Sequence, residues 1–134
     1  MKKVKILLVD DDTTYLFITK KILEQQQNVE QISTCMNGLE ALTYLKEHSK
    51  EENILPNILF LDLFMPIMDG WQFLSEFTEI KSDHLNKITI YICTSSISPH
   101  DVERAKKISS VSDYIIKPIS RIKLIDILNQ YISN

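Results

Sequence analysis

The chain has 134 residues, 44% of them hydrophobic and 25% charged, which is typical of one soluble globular domain. A net charge of −3 argues against nonspecific nucleic-acid binding, which requires a basic face. The sequence contains no apolar run of membrane-spanning length, and the apolar stretch after the basic start ends at Asp10, too early for a signal peptide. Because Cys35 and Cys93 also lack metal-ligand spacing, we predict a single-domain cytoplasmic protein.

Short apolar runs alternate with amphipathic segments along the whole chain. This alternation predicts strands at 5–9, 29–34, 58–61, 88–93 and 114–116. It predicts helices at 13–26, 38–48, 70–80, 99–109 and 120–131. Five βα units in series indicate an α/β fold with a parallel sheet, helices on both faces and right-handed crossovers.

The first predicted strand runs directly into three acidic residues, Asp10, Asp11 and Asp12. Asp12 is expected to cap the helix that begins at Thr13. Asp10 and Asp11 are left at the strand end, where mutual repulsion would raise their pKa values unless a cation binds. This cluster therefore indicates a cation site and not a solvated loop.

The third predicted strand, 58–61, is an unbroken apolar run, which is typical of a strand buried on both faces. Asp62 follows it, and a carboxylate there is costly unless metal, cations or hydrogen bonds compensate its charge. With Asp10 and Asp11 it would form an oxygen-rich site suited to Mg²⁺. Asp69 and Gly70 then form a turn that leads into the next helix.

The last two strands end at Thr94 and Lys117, and between them Ser98 and Pro99 predict a helix start. Ligands of doubly wound sheets bind beyond the carboxyl ends of the strands, so Thr94 and Lys117 should meet the acidic residues at one rim. Opposite three carboxylates, the Lys117 ammonium is expected to contact phosphoryl oxygens. Thr94 alone would be read as part of a Ser/Thr-rich turn.

Together these motifs resemble the receiver domain of two-component response regulators over nearly the whole chain. The string of Asp62, Met65, Pro66, Met68, Asp69 and Gly70 is highly specific. The remaining matches, in order, are Val9-Asp10-Asp11, Thr94-Ser95 and Tyr114-Ile115-Ile116-Lys117-Pro118.

The resemblance implies a flavodoxin-like, doubly wound, five-stranded parallel sheet in the order 2-1-3-4-5, with five helices. It implies a single receiver domain over 1–134 without an output domain, as in single-domain chemotaxis regulators. Asp62 would accept a phosphoryl group from a phosphohistidine of a sensor kinase or phosphotransfer protein. Asp11 would bind Mg²⁺ directly and Asp10 largely through water, with Asp62 and the backbone carbonyl of Phe64 completing the protein ligands.

The resemblance also implies a conformational switch. Lys117 would contact the phosphoryl group, Thr94 would hydrogen-bond it, and Tyr114 would turn inward. Whether Thr94 or Ser95 holds the switch position stays open, and we favour Thr94. The peptide bond before Pro118 is expected to be cis. The readout would be altered protein binding on the face of helix four, strand five and helix five, by a monomer or a weak phosphorylation-dependent dimer.

Two aromatic side chains suggest features particular to this chain. Phe64 is bulky and apolar, so we predict that it obstructs hydrolytic water and lengthens the life of the phosphorylated form. In the first helix, the periodicity is expected to place Ile18 with Leu16 on the buried stripe and Phe17 on the solvent side. Since the first helix of this family contributes to kinase docking, Phe17 is a predicted partner contact.

Two alternatives remain at this point. Asp10, Asp12 and Thr14 match the start signature of haloacid-dehalogenase-like phosphatases, with Asp10 as nucleophile. That family needs a late acidic pair, whereas the only acid after Lys117 is Asp126. The second alternative is a receiver-fold scaffold that no longer accepts phosphate. We favour the phosphoacceptor, which would not be an enzyme beyond catalysing its own phosphorylation and dephosphorylation.

Overall fold

The computed structural model describes residues 2–133, so Met1 and Asn134, the ends of the predicted 1–134 domain, lie outside the described residues. Strands and helices alternate as predicted, except that one additional short helix lies between the third helix and the fourth strand. The strands are β1 (Val4–Val9), β2 (Val29–Cys35), β3 (Ile58–Leu61), β4 (Thr89–Thr94) and β5 (Val111–Ile116). The helices are α1 (Thr13–Glu24), α2 (Gly38–Glu47), α3 (Gly70–Glu79), α4 (Asp83–Asn86), α5 (Pro99–Lys106) and α6 (Arg121–Ser133).

The five strands form one parallel sheet in the order β2-β1-β3-β4-β5, which confirms the predicted doubly wound topology. Successive side chains of a strand point to opposite faces, so the central strands supply two separate cores. Leu7 and Leu59 pack with α2 and α3 on one face. Ile6 and Phe60 pack with α1 and α6 on the other. In residues 2–133, no helix is long and apolar enough to cross a membrane.

The prediction of five helices was wrong by one, because the short helix α4 precedes β4. Ser82 caps it by accepting a hydrogen bond from Leu85 N, and Leu85 is buried in the core. A four-residue helix is too short to produce a hydrophobic period in the sequence. The other element bounds agree to within three residues, the largest differences being an earlier end of α5 and an earlier start of β5.

One prediction about α1 was also wrong. Ile18 is 53% exposed, although the sequence analysis placed it on the buried stripe with Leu16. Two residues correspond to about 200° around an α-helix, so Ile18 must face away from Leu16. The buried side chains of the helix are Leu16, Thr19 and Leu23. Phe17 is 63% exposed, as expected.

The predicted helix starts are confirmed. Asp12 accepts a hydrogen bond from the backbone N–H of Tyr15, and Asp69 forms a reciprocal capping box with Gln72. Ser98 caps α5, which has proline at its first position. These caps satisfy N–H groups that helix formation leaves without partners, so they fix where each helix leaves the sheet rim.

Candidate functional site

Three carboxylates converge at the carboxyl ends of β1 and β3. One oxygen from each of Asp10, Asp11 and Asp62 lies within 4.8 Å of the others. Asp10 and Asp62 are 3% and 6% exposed, whereas Asp11 is open to solvent. Backbone hydrogen bonds hold the two buried residues, from Asp10 N to Cys35 O (3.0 Å) and from Asp62 N to Val9 O (2.9 Å). The sheet itself therefore fixes the spacing of the two buried carboxylates.

Lys117 brings a positive charge to these carboxylates from the end of β5. Its Nζ lies 2.7 Å from Asp10 Oδ2 and 3.4 Å from Asp62 Oδ2. Its backbone N–H donates to the carbonyl of Thr94, and the bond to Pro118 is cis, as expected. The remaining carboxylate oxygens accept backbone hydrogen bonds, Asp10 Oδ1 from Asp12 N and Asp62 Oδ1 from Leu63 N.

Burial and charge act against each other at Asp10. Burial raises the pKa of its carboxyl above the ordinary value, with the charge of Asp62 adding to this and the hydrogen bonds from Lys117 and Asp12 opposing it. For Lys117, burial favours the neutral amine, but hydrogen bonding and attraction to Asp10 and Asp62 outweigh it and raise its pKa. The ammonium is therefore held charged between two carboxylates that it only partly neutralises.

This donor set fits a hard divalent cation. Mg²⁺ is bound by a few carboxylate oxygens and keeps several waters. Here one oxygen from each of two buried carboxylates and one exposed carboxylate lies within 4.8 Å of the others. The exposed side of Asp11 leaves room for water ligands, and the excess of negative charge over Lys117 favours a cation.

The loop after β3 is packed tightly against the site. Gly70 N donates to Leu63 O at 3.0 Å, and a Cβ on Gly70 would overlap the carbonyl oxygen of Asp62. Glycine is therefore required there by close approach. Within the loop, Ile67 has a φ of 69°, and Met68 N donates to Pro66 O around it. This conformation is strained for a β-branched residue, which is a common feature of functional loops.

The two predicted switch residues lie near the loop after β4. Thr94 is fully buried, and its hydroxyl accepts a long hydrogen bond from Ser96 N at 3.5 Å. The Tyr114 hydroxyl donates to the carbonyl of Ser96 at 2.9 Å. Both residues therefore contact the same loop segment. The backbone carbonyl of Thr94 accepts a hydrogen bond from Lys117 N, whereas Tyr114 is connected to Thr94 through Ser96.

The two predicted aromatic residues lie outside the carboxylate cluster. Phe64 is about half exposed, two residues beyond Asp62. Phe17 lies on the solvent side of α1, where Lys21 Nζ is 5.4 Å from its ring centroid. Neither side chain contributes a polar group to the site, so any role in catalysis must be steric or through a partner.

One contact of Lys117 was not predicted from the sequence. The Lys117 Nζ lies 4.5 Å from the ring centroid of Tyr15, whose hydroxyl is 2.9 Å from Cys93 Sγ. Cys93 was noted only for its lack of metal-ligand spacing, and Tyr15 was not singled out. The signal for this contact was the place of Tyr15 in the first turn of the helix after the acidic run, because helical side chains point back toward the N-terminus.

A family model described as the response regulator receiver domain matches residues 6–129. The chain belongs to this family. The match extends from β1 into α6 and includes every residue of the site described above.

Two curated relatives of this receiver domain are named as regulators. It is 33% identical over 115 residues to a probable methanogenesis regulatory protein, FilR2, of Methanothrix harundinacea, covering 86% of this chain and 72% of the relative. It is 32% identical over 123 residues to the response regulator protein VraR of Staphylococcus epidermidis, covering 92% of this chain. The receiver chain spans 54% of VraR, so about half of that relative has no counterpart in it.

A solved structure supports the same assignment. The structure of a two-component response regulator from Cytophaga hutchinsonii superimposes with a TM-score of 0.87 and 27% identity, covering 99% of this chain and all of that one. Receiver domains are signalling modules. The family match therefore supports the receiver interpretation over the phosphatase and scaffold alternatives. The fold and the family are therefore those that the sequence motifs indicated.

Proposed function

We propose that Asp62 accepts a phosphoryl group from a phosphohistidine of a histidine kinase or phosphotransfer protein. Receiver domains interact with these two classes of protein. The observation that carries the proposal is the buried Asp62 carboxylate, 3.4 Å from the Lys117 ammonium and beside two further carboxylates. A nucleophile, a positive charge and a cation site are what in-line phosphoryl transfer requires.

The two oxygens of Asp62 have different surroundings, which suggests which one reacts. Oδ1 accepts a hydrogen bond from Leu63 N at 2.8 Å, and Oδ2 faces Lys117. We assign Oδ2 as the nucleophile. Its bond to phosphorus forms as the P–N bond of the phosphohistidine breaks, and the imidazole leaves with that electron pair. The product is an acyl phosphate on Asp62.

Asp10, Asp11, Asp62 and the backbone carbonyl of Phe64 are the groups that would hold Mg²⁺. When bound, the ion supplies positive charge that stabilises the phosphoryl oxygens in the transition state. Asp11 is the most accessible of the three carboxylates, which suits a direct ligand, while Asp10 is committed to Asp12 N and Lys117.

Lys117 has to change partners during the reaction. In the structure its ammonium bridges Asp10 and Asp62, 2.7 Å and 3.4 Å away. In the proposed reaction it donates to phosphoryl oxygens, where a charge-assisted hydrogen bond stabilises the growing negative charge. Attraction to the new dianionic group offsets the lost contact with Asp10.

The phosphorylated state is proposed to act through the loop after β4. Thr94 would donate its hydroxyl to the phosphoryl group and so withdraw it from Ser96 N, while Tyr114 holds Ser96 O. Movement of that loop would alter the surface formed by α5, β5 and α6. The downstream event is then a change in protein binding, with no substrate other than the phosphodonor.

Intact mass spectrometry tests the proposal directly. Incubation with Mg²⁺ and acetyl phosphate should add one phosphoryl group to the wild type. The adduct should be absent from Asp62→Asn and from a sample with excess EDTA. Asp126→Asn, which changes an acid in α6, is the matched control and should be phosphorylated normally. If beryllofluoride with Mg²⁺ also fails to bind the wild type, the phosphoacceptor role is wrong.

We extend the proposal to partner docking through Phe17. Its ring is 63% exposed on α1, the helix that follows the acidic run, so it lies on a surface that a phosphodonor protein can reach. Phe17→Ala should slow transfer from a cognate phosphohistidine protein and spare phosphorylation by acetyl phosphate. Leu39→Ala removes another exposed apolar side chain, on α2, and serves as the control. Equal loss with both donors would exclude docking as the cause.

A further inference from the structure

Tyr15 contacts the proposed phosphoryl-binding lysine with the face of its ring. Lys117 Nζ is 4.5 Å from the ring centroid, within the range of a cation–π interaction. The Lys117 side chain is 15% exposed, so competition from water is limited. Since such interactions strengthen when they are desolvated, this contact should contribute more than one on the open surface.

The ring of Tyr15 is held at both ends. At the backbone, its N–H donates to the Asp12 carboxylate at 3.1 Å. At the tip, its hydroxyl is 2.9 Å from the sulfur of Cys93, which is buried in β4. Burial raises the pKa of the Tyr15 hydroxyl and raises that of the Cys93 thiol to about 11, so both groups stay neutral. The ring is therefore fixed and uncharged.

Four contacts form a closed circuit around the ammonium. Asp10 Oδ1 accepts from Asp12 N (2.9 Å), and Asp12 accepts from Tyr15 N (3.1 Å). The ring of Tyr15 faces Lys117, whose Nζ returns to Asp10 Oδ2 at 2.7 Å. The position of the ammonium is thus linked to the carboxylate that it has to leave when it contacts a phosphoryl group.

We propose that Tyr15 is a positioning residue for Lys117. The ring stabilises the ammonium without accepting a directional hydrogen bond, so the N–H donors remain available for Asp10 and Asp62 or for phosphoryl oxygens. When Lys117 releases Asp10, the ring keeps the charge at the rim of the sheet. This inference rests on the proposed role of Lys117 in phosphorylation of Asp62.

NMR of the unphosphorylated wild type tests the contact independently of any reaction. The side-chain protons of Lys117 next to Nζ should be shifted upfield by the Tyr15 ring current, with the resonance assigned by its loss in Lys117→Arg. Lys2 provides an internal reference, since its Nζ is 4.7 Å from the ring centroid of Tyr131. Unshifted Lys117 protons would overturn the proposal.

Phosphorylation rates test the consequence. Tyr15→Leu removes the ring and should lower the rate with acetyl phosphate about tenfold, whereas Tyr15→Phe retains the ring and should stay within about threefold of wild type. Tyr131→Leu removes a tyrosine with the same kind of lysine contact from the same core cluster, and its rate should not change. It should abolish the Lys2 shift and preserve that of Lys117.

The outcomes separate this inference from the proposed function. An unchanged rate in Tyr15→Leu, or an equal loss in Tyr15→Phe, would overturn the positioning role of the ring. Failure of the wild type to become phosphorylated would instead overturn the proposed function. The Lys117 proton shifts would then still decide whether the ring holds the ammonium.

Discussion

Asp10 carries a negative charge at a place where burial disfavours it. It lies 2.7 Å from Lys117, but Lys117 is shared with Asp62, so two buried carboxylates and one ammonium leave a net charge of −1. Burial raises the pKa of the Asp10 carboxyl despite its hydrogen bonds. In the metal-free protein, this residue therefore favours cation binding at the expense of stability.

Asp10→Asn should stabilise the metal-free protein. The pKa of the Asp10 carboxyl is 3.8 in the unfolded chain and higher in the folded protein, so the folded state holds the proton more tightly. This carboxyl therefore contributes stability at low pH, and that contribution is lost as pH rises from 3.8 through the folded-state pKa. At pH 7 the variant should gain about 1 kcal/mol in the free energy of unfolding, and Lys117 would keep Asp62 as a partner.

Urea unfolding in EDTA at several pH values measures this difference. The advantage of Asp10→Asn should grow as pH rises above 3.8 and disappear below it. Mg²⁺ should then raise the stability of the wild type more than that of the variant, because the variant has lost a carboxylate of the cluster. Equal or lower stability of the variant at pH 7 would contradict the prediction.

Phe64 has no polar group with which to guide water toward an acyl phosphate on Asp62. Its ring is about half exposed two residues beyond Asp62, and asparagine would replace it with an amide that can orient water. Phe64→Asn should therefore hydrolyse its phosphoryl group roughly tenfold faster, which corresponds to about 1.4 kcal/mol in the barrier. Decay followed by mass spectrometry checks this, with Phe64→Leu as the apolar control expected to resemble the wild type.

Asp10, Asp62 and Lys117 could be predicted individually because each one directly follows an apolar run at a strand end. Their convergence follows from the rule that ligands of doubly wound sheets bind at that rim. The place of Tyr15 in the first turn of α1 indicates that it lies near the acidic residues, but its contact with Lys117 also depends on a rotamer and on the distance to Cys93 across the core, which the sequence does not give. The positive φ of Ile67 could not be predicted either, since β-branched residues rarely adopt a positive φ.

At the scale of elements, the seating of α3 on the end of β3 decides where Asp62 lies. A Cβ on Gly70 would overlap the Asp62 carbonyl oxygen and lie 2.9 Å from Leu63 Cα, both of them backbone atoms that cannot rotate away. Gly70→Ala should therefore move either the first turn of α3 or Asp62 itself. The sequence motif identifies Gly70, and the close approach of the Asp62 and Leu63 backbone explains why this position is a glycine.

Gly70→Ala should destabilise the protein by about 2–3 kcal/mol and slow phosphorylation of Asp62. Thermal unfolding and mass spectrometry with acetyl phosphate measure the two effects. The control is Ser75→Ala, at an exposed position of the same helix. It should change neither the stability nor the phosphorylation rate, since alanine favours helix formation at this position. A Gly70→Ala protein as stable and reactive as the wild type would show that α3 can shift without disturbing the acceptor.

Most helices and strands were predictable from the period of their hydrophobic residues. In three helices the N-cap residue, Asp12, Asp69 or Ser98, indicates the same start as that period. The errors arose where local signals are weak. The short helix α4 is held by burial of Leu85 and by the Ser82 cap, which a periodicity search over longer windows does not detect. Ile18 is apolar but exposed, and the prediction extended the buried stripe of Leu16 to a residue that lies on the opposite side of the helix.

At the scale of the whole molecule, the site connects to helices on one face of the sheet through the loop after β4. Tyr114 holds Ser96 O, and Ser96 Oγ donates to Asp101 in the first turn of α5. Further along α5, the guanidinium of Arg104 lies 4.3 Å from the ring centroid of Trp71 in α3. A displacement of the loop should therefore change the surroundings of Trp71, the only tryptophan in the chain.

Binding of beryllofluoride with Mg²⁺, a stable mimic of the phosphoryl group, should change the fluorescence of Trp71 in the wild type. Arg104→Met should reduce that change by more than half, because the variant loses the contact through which α5 acts on the indole. The control is Arg121→Met, which alters the other arginine, whose guanidinium hydrogen-bonds Gln25 at 2.8 Å. It should respond like the wild type.

The competing explanation is local sensing, because Trp71 directly follows Gly70 and so lies close to the Asp62 backbone. Under that explanation, movement of the loop after β3 alone would change the fluorescence, and Arg104→Met would respond as strongly as the wild type. Tyr114→Phe separates the two explanations further, since it removes the hydrogen bond to Ser96 and leaves the side chains of Arg104 and Trp71 unchanged. A fluorescence change that decreases in both Arg104→Met and Tyr114→Phe would place the signal on the path through α5.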